Sequence, residues 1–109
     1  MSAPHLKHTP GPWVASPLND EFFKDVNILD NDGLACAVAL RQGDITEDMA
    51  KANANLIAAA PDLLADCEKQ IAWIEHVRGR ITAPESVMLG FDQSLKYLRA
   101  SVAKATGRA

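Results

Sequence analysis

Cysteine is scarce in this 109-residue chain: Cys36 and Cys67 are the only two, and neither belongs to a C-x-x-C pair. That excludes a disulfide scaffold and a cysteine-rich zinc module. Each sits among apolar residues at the spacing of its element, where a free thiol behaves as a small hydrophobe, so both are expected as buried thiols. Positive charge is in deficit, with 11 Lys and Arg against 14 Asp and Glu and a formal net charge of -3. Duplex binding through the phosphate backbone draws on a basic face. The two basic clusters here, Lys69, His76, Arg78 and Arg80, then Lys96, Arg99, Lys104 and Arg108, are interleaved with acids such as Asp66, Glu68, Glu75 and Asp92. They read as solvated helix faces, and no duplex nucleic acid is expected as a partner. No apolar run approaches the ~20 residues of a membrane span, and no basic stretch followed by an apolar one opens the chain. A cytoplasmic protein without a membrane partner is expected. The six glycines are scattered, and no G-x-x-x-x-G-K-[ST], G-x-G-x-x-G, H-E-x-x-H or G-x-S-x-G motif occurs. Neither enzymatic chemistry nor a cofactor is expected.

What is present is an ordinary globular mixture, 48% hydrophobic and 23% charged, enough for one modest core. A chain of this length buries roughly 65% of its unfolded surface. The expectation is one domain over 1–109, with an extended proline-rich arm at 1–12, a β region at 13–45 and a helical region at 46–107. Pro10-Gly11-Pro12 can be neither regular helix nor central strand. Trp13 and Val14 dock the arm and are placed to begin a strand. Residues 15–24 read as a loop carrying Phe22 and Phe23. Asp25 to Asp30 reads as a strand with Val26 and Ile28 on one face. Asn31-Asp32-Gly33 is a turn, because these residue types tolerate positive φ. Leu34 to Leu40 returns as a strand with Leu34, Cys36, Val38 and Leu40 on one face. Ala35, Ala37 and Ala39 lie on the other, where a helix backbone could approach closely.

Thr46 is placed to cap a helix beginning at Glu47. Met49, Ala52, Asn53, Leu56, Ile57 and Ala60 share a face at three- and four-residue spacing, and Pro61 predicts a break at Ala60-Pro61. A second helix follows from Pro61 to about Arg78, with Leu64, Cys67, Ile71 and Ile74 as its seam and Gly79 beyond it. Pro84 and Glu85 open a third helix. Its seam is Met88, Phe91, Leu95, Leu98, Val102 and Ala105, and Gly107 ends it. At 1.5 Å per residue these helices are ~27 and ~34 Å long, and they should pair as an antiparallel hairpin. The fold class is α+β: a short antiparallel β-hairpin or three-stranded sheet, then a short helix and a long antiparallel helical hairpin. Seams of that length predict a homo-oligomer, a dimer or higher.

Three segments carry a resemblance. The arm reads His8-Thr9-Pro10-Gly11-Pro12-Trp13. The centre reads Asn53-Ala54-Asn55-Leu56-Ile57-Ala58-Ala59-Ala60-Pro61-Asp62-Leu63-Leu64, and the end reads Ala100-Ser101-Val102-Ala103-Lys104-Ala105-Thr106-Gly107. The layout resembles a group of small phage and prophage accessory proteins of unassigned role, with a TPGPW-like start and an NARLIAAAPELL-like centre. Here Asn55 stands in place of the basic residue and Asp62 in place of Glu. The resemblance implies a host bacterial cell as the setting. By analogy it implies a non-catalytic protein that counters a host antiphage defence, by inhibiting an effector protein or by sequestering a small nucleotide signal. A structural or regulatory role in phage assembly is the third possibility.

Four residues stand out as ligand contacts. Asn53 falls on the apolar face of the first helix, where a buried amide must bond either the hairpin edge, backbone freed at Pro61, or a ligand. Trp73 lies off the seam of the second helix and suits an interface or a stacked base; Lys69 and Arg80 nearby suit phosphate. No metal site is expected. His5 and His8 lack further ligands, and the D-x-D-G run of Asp30 to Gly33 lacks the downstream Glu of a calcium loop.

Overall fold

The computed structural model describes residues 8–17 and 25–108. The elements run β1 (Val14–Pro17), β2 (Val26–Leu29), β3 (Ala35–Ala39), α1 (Glu47–Ala58), α2 (Ala60–Arg78) and α3 (Glu85–Ala105). The chain divides into two compact units, 1–62 and 63–109. The division falls inside the region expected to be helical throughout, and places α1 with the sheet.

The first unit is a three-stranded antiparallel sheet in the order β1-β2-β3, with α1 packed across all three strands. Trp13 and Val14 do lead into a third strand. Ala15, Ser16 and Pro17, expected in a loop, continue it and pair with Ile28, Asn27 and Val26. Loop residues become strand here because β2 leaves an open edge, and a two-stranded hairpin is marginal in water. Phe22 and Phe23 lie outside the described residues. The β2–β3 turn closes on the Asp30 carboxylate. It accepts the backbone N–H of Asp32 at 2.9 Å and of Leu34 at 3.0 Å, while Gly33 takes a φ of +79°. Asp25 fastens the far end, accepting the N–H of Arg41 at 2.8 Å. These aspartates are occupied in turn chemistry.

The core lies on the alanine face of the sheet. Val26 and Ile28 are 2% and 0% exposed and pack with Ala39 and with Ala54 of α1; Ala15, Ala37 and Trp13 are partly buried beside them. Small side chains on the strand and on the helix let the two backbones come together, as the alanine alternation suggests for Ala37 and Ala39, whereas Ala35, before the bulge, is exposed. A register shift between Ile28 and Leu29 pairs Ile28 with Ala37 and Leu29 with Ala35, so β3 carries an extra residue, Cys36. The bulge turns Cys36 away from the Leu34-Val38-Leu40 face on which alternation places it. It packs against the core, and its thiol donates to the Ile28 carbonyl at 3.4 Å. Cys36 and Cys67 are both half-buried rather than buried. Cys36 bonds across the bulge, and Cys67 lies on a seam closed by a single neighbouring helix.

Thr46 caps α1 as expected: its hydroxyl accepts the Met49 N–H at 3.2 Å, with Glu47 and Asp48 in the first turn. The buried face of α1 differs from expectation. Ala50 and Ala54 are fully buried and Ile57 and Ala58 partly so, while Met49 and Leu56 are 54% and 66% exposed. A helix this close to an alanine strand can seat only alanine at the contact, so the bulkier apolar residues turn outward. The break comes at Ala59, one residue before the expected junction, and Pro61 lies in the first turn of α2. The proline-rich arm meets this junction. A Cβ on Gly11 would come within 3.0 Å of the Pro61 Cβ. Trp13 closes the arm on itself, its indole donating to the Thr9 carbonyl at 3.1 Å, with the His8 ring edge-on at 5.9 Å.

The second unit is an antiparallel helical hairpin formed by α2 from Leu63 onward and α3. Its seam follows the expected spacing up to the last turn: Leu64, Cys67, Ile71 and Ile74 are half-buried, as are Met88, Phe91 and Leu98, and Leu95 and Val102 are buried, whereas Ala105, the last expected seam residue, is exposed. Gly107 ends α3 at a φ of +76°. The N–H groups of Gly107 and Arg108 return to the carbonyls of Lys104 and Ala103 at 3.2 and 2.7 Å, a Schellman closure.

Candidate functional site

Each position on the hairpin follows from the seam. Residues immediately after seam positions, Glu75 on α2 and Asp92 and Arg99 on α3, meet along one flank. Arg78 places Nε 2.6 Å from Asp92 Oδ1 and Nη2 3.1 Å from Oδ2, a bidentate pair, and Arg99 pairs with Glu75. As residue numbers fall from 78 to 75 on α2 they rise from 92 to 99 on α3, so the pairs fix an antiparallel register. Asp92, first by hydrogen bonding and then by its charge, raises the Arg78 pKa above its ordinary value. A cleft of about 300 Å³ opens here, lined by Glu75, Arg78, Gly79, Asp92, Leu95 and Arg99. Each cation in it already holds a carboxylate, so an incoming anion must displace an internal partner. The cleft is better suited to locking two helices than to taking a ligand.

The four residues singled out from the sequence separate between the units. Asn53 is exposed on α1 in the first unit. It is not a buried amide seeking a partner, because the face it was assigned to points outward. Among the described residues no polar or charged side chain is buried at all. Lys69 and Trp73 are exposed on α2, and Arg80 is exposed in the turn after it. Steps of four and three residues put Lys69, Trp73 and His76 on one stripe of α2, and Arg80 follows in the turn beyond its end. Trp73 is 60% exposed, and its ring stacks on His76 with centroids 6.1 Å apart and planes 29° from parallel. In the sequence His76 reads only as part of a basic cluster and is not connected to Trp73. The three-residue spacing between them was the available signal.

The stripe offers an aromatic platform between two cations and holds no nucleophile paired with a base. Among the described residues no group of three or more His, Cys, Asp or Glu could hold a metal ion. No described helix is long and apolar enough to cross a membrane.

A protein-family model described as Salmonella phage P22 protein Y8K6 matches the chain over residues 1–109. No curated protein and no solved structure matches it.

Proposed function

The chain belongs to the family of Salmonella phage P22 protein Y8K6, and on that footing we propose that it is a non-catalytic accessory protein that counters a host antiphage defence by binding and inhibiting an effector protein. The observation that carries this reading is the exposed Lys69-Trp73-His76-Arg80 stripe. Tryptophan and arginine are the residue types that most often anchor protein interfaces. A tryptophan left 60% exposed on a helix without buried residues contributes little to folding, so its value lies in what it can contact.

The experiment is phage plating on a panel of bacterial hosts, each carrying one antiphage defence, with and without the full-length chain expressed from a plasmid. The expected result is restored plating on at least one defended host, with the tagged chain co-purifying with a protein of that defence. No restoration on any host in which the chain accumulates would turn the reading toward a structural or regulatory part in phage development.

A second reading rests on the stacked Trp73 and His76 rings. The platform can receive a nucleobase, and Lys69 and Arg80 flank it with the charge a phosphate needs. In this form the protein sequesters a small nucleotide signal. Purified chain should then gain melting temperature with a nucleotide of the right class, and plating should be restored without co-purification of a host protein.

A further inference from the structure

The three-stranded sheet has two edges, β1 and β3, and they are finished differently. β1 is four residues long and ends on Pro17, which has no N–H to give a further strand. A short strand tipped by proline is one of the ways in which proteins close an edge. β3 is interrupted only by its bulge at Cys36, toward the turn. Beyond the bulge Ala37, Val38 and Ala39 pair in unbroken register with Ile28, Asn27 and Val26. From Leu34 to Leu40 the chain reads Leu-Ala-Cys-Ala-Val-Ala-Leu, with no charge and no proline. Among the described residues, 35–40 take no backbone hydrogen bond outside the β2–β3 ladder.

Which groups face the open edge follows from that ladder. Hydrogen-bonded and non-hydrogen-bonded pairs alternate along antiparallel strands. Asp30 donates its N–H to the Leu34 carbonyl at 2.8 Å, so Ile28 and Val26, two and four residues back, also turn their backbone groups to β3. Asn27 between them turns to β1, and its partner Val38 points its own N–H and carbonyl away from β2. Leu40, two residues on, does the same. Alternation sets the Val38 and Leu40 side chains, 45% and 46% exposed, on the sheet face away from α1.

We propose that the open edge of β3 is a strand-pairing edge, on which β3 of a second copy lies antiparallel and joins the two sheets into one. The unpaired backbone groups state the chemistry of their occupant. Donors and acceptors repeating at two-residue steps are met by an extended strand, as in strand addition to a sheet edge. Their spacing commits that strand to the chain's own copy. A two-fold axis at Ala39 sets Val38 of each copy against Leu40 of the other, and each such pair exchanges N–H to carbonyl bonds in both directions. Every outward N–H and carbonyl of these residues is then satisfied. The same axis keeps charge off the joint. The charged residues nearest the run are Asp30 and Asp32 at the turn and Arg41, with Asp25 beside it, at the far end. Each Arg41 falls opposite the copy's Ala37, four residues along the ladder from its counterpart, roughly 14 Å at 3.4 Å per residue. The acidic turns lie further out still. The edge belongs to the first unit, so it does not draw on the Lys69-Trp73-His76 stripe of the second.

The test is sedimentation velocity on the full-length protein at concentrations up to 1 mM, with amide hydrogen exchange read by NMR at the highest. Two variants accompany the native chain. Val38→Lys puts a cation next to its own copy on the paired edge. Val14→Lys puts the same cation on β1, where Val14 is 56% exposed on the same sheet face. The expected result is twice the chain mass for the native protein and for Val14→Lys, and at least a tenfold weaker dimer for Val38→Lys, with circular dichroism unchanged in all three. The Leu40 amide should exchange at least fivefold more slowly in the native dimer than in Val38→Lys. A native protein that stays at single-chain mass at 1 mM overturns the proposal. So does a dimer that survives Val38→Lys, one that Val14→Lys weakens equally, as stacked sheet faces would, or one whose Leu40 amide exchanges as fast as in Val38→Lys.

Discussion

Single side chains in the first unit are held by size and by turn geometry. Ala54 is fully buried between α1 and the sheet, so Ala54→Leu should overpack the seat and destabilise the protein by about 1–3 kcal/mol in urea unfolding. Asn53, one residue away and exposed, should tolerate Asn53→Ala within about 0.5 kcal/mol. Asp30→Ala removes the acceptor for two N–H groups at the β-turn. It should cost on the order of 1 kcal/mol, and Asp30→Asn should recover most of it, because the amide oxygen can still accept. The Asp30-to-Gly33 turn was legible in the sequence because its chemistry is local: a short acceptor and a glycine free to take positive φ. The face of α1 was not. That helix has apolar residues nearly all round, and three- and four-residue spacing fits Met49-Asn53-Leu56 as well as Ala50-Ala54-Ile57. What decides between them is the room above an alanine strand, which spacing along one helix does not contain.

The caps at the level of elements were written plainly in the chain. Thr46→Ala should lower stability by about 1 kcal/mol, and Thr46→Asp should not, since a carboxylate accepts the same Met49 N–H. The seams of α2 and α3 were legible for the same reason as the caps: regular spacing from Met88 to Val102 leaves one face free for the partner helix, and only Ala105, in the last turn, falls outside it. Leu95 is its most buried member, and Leu95→Ala should cost about 2–4 kcal/mol by calorimetry. Two features escaped sequence reading. The bulge at Cys36 is a register event between β2 and β3, and strict alternation along β3 assigns that residue to the wrong face. The start of β1 was visible at Trp13, but its run to Pro17 depends on an open edge of β2 waiting to be paired.

The whole molecule joins a sheet capped by one helix to a helical hairpin, and the proposed function rests on the hairpin. Of the residues marked from the sequence as ligand contacts, Lys69 and Trp73 fall on one stripe because helical periodicity aligns them, and Arg80 follows in the turn after α2. Asn53 belongs to the other unit. The most direct measurement is plating efficiency on a defended host rescued by the native chain, repeated with Trp73→Ala and with unfolding curves recorded for both proteins. The stripe reading expects Trp73→Ala to unfold within about 0.5 kcal/mol of the native chain, because the indole is largely in solvent, and yet to lose at least tenfold in plating rescue. Equal rescue by the native chain and a stable Trp73→Ala variant would contradict it and take the function off the stripe.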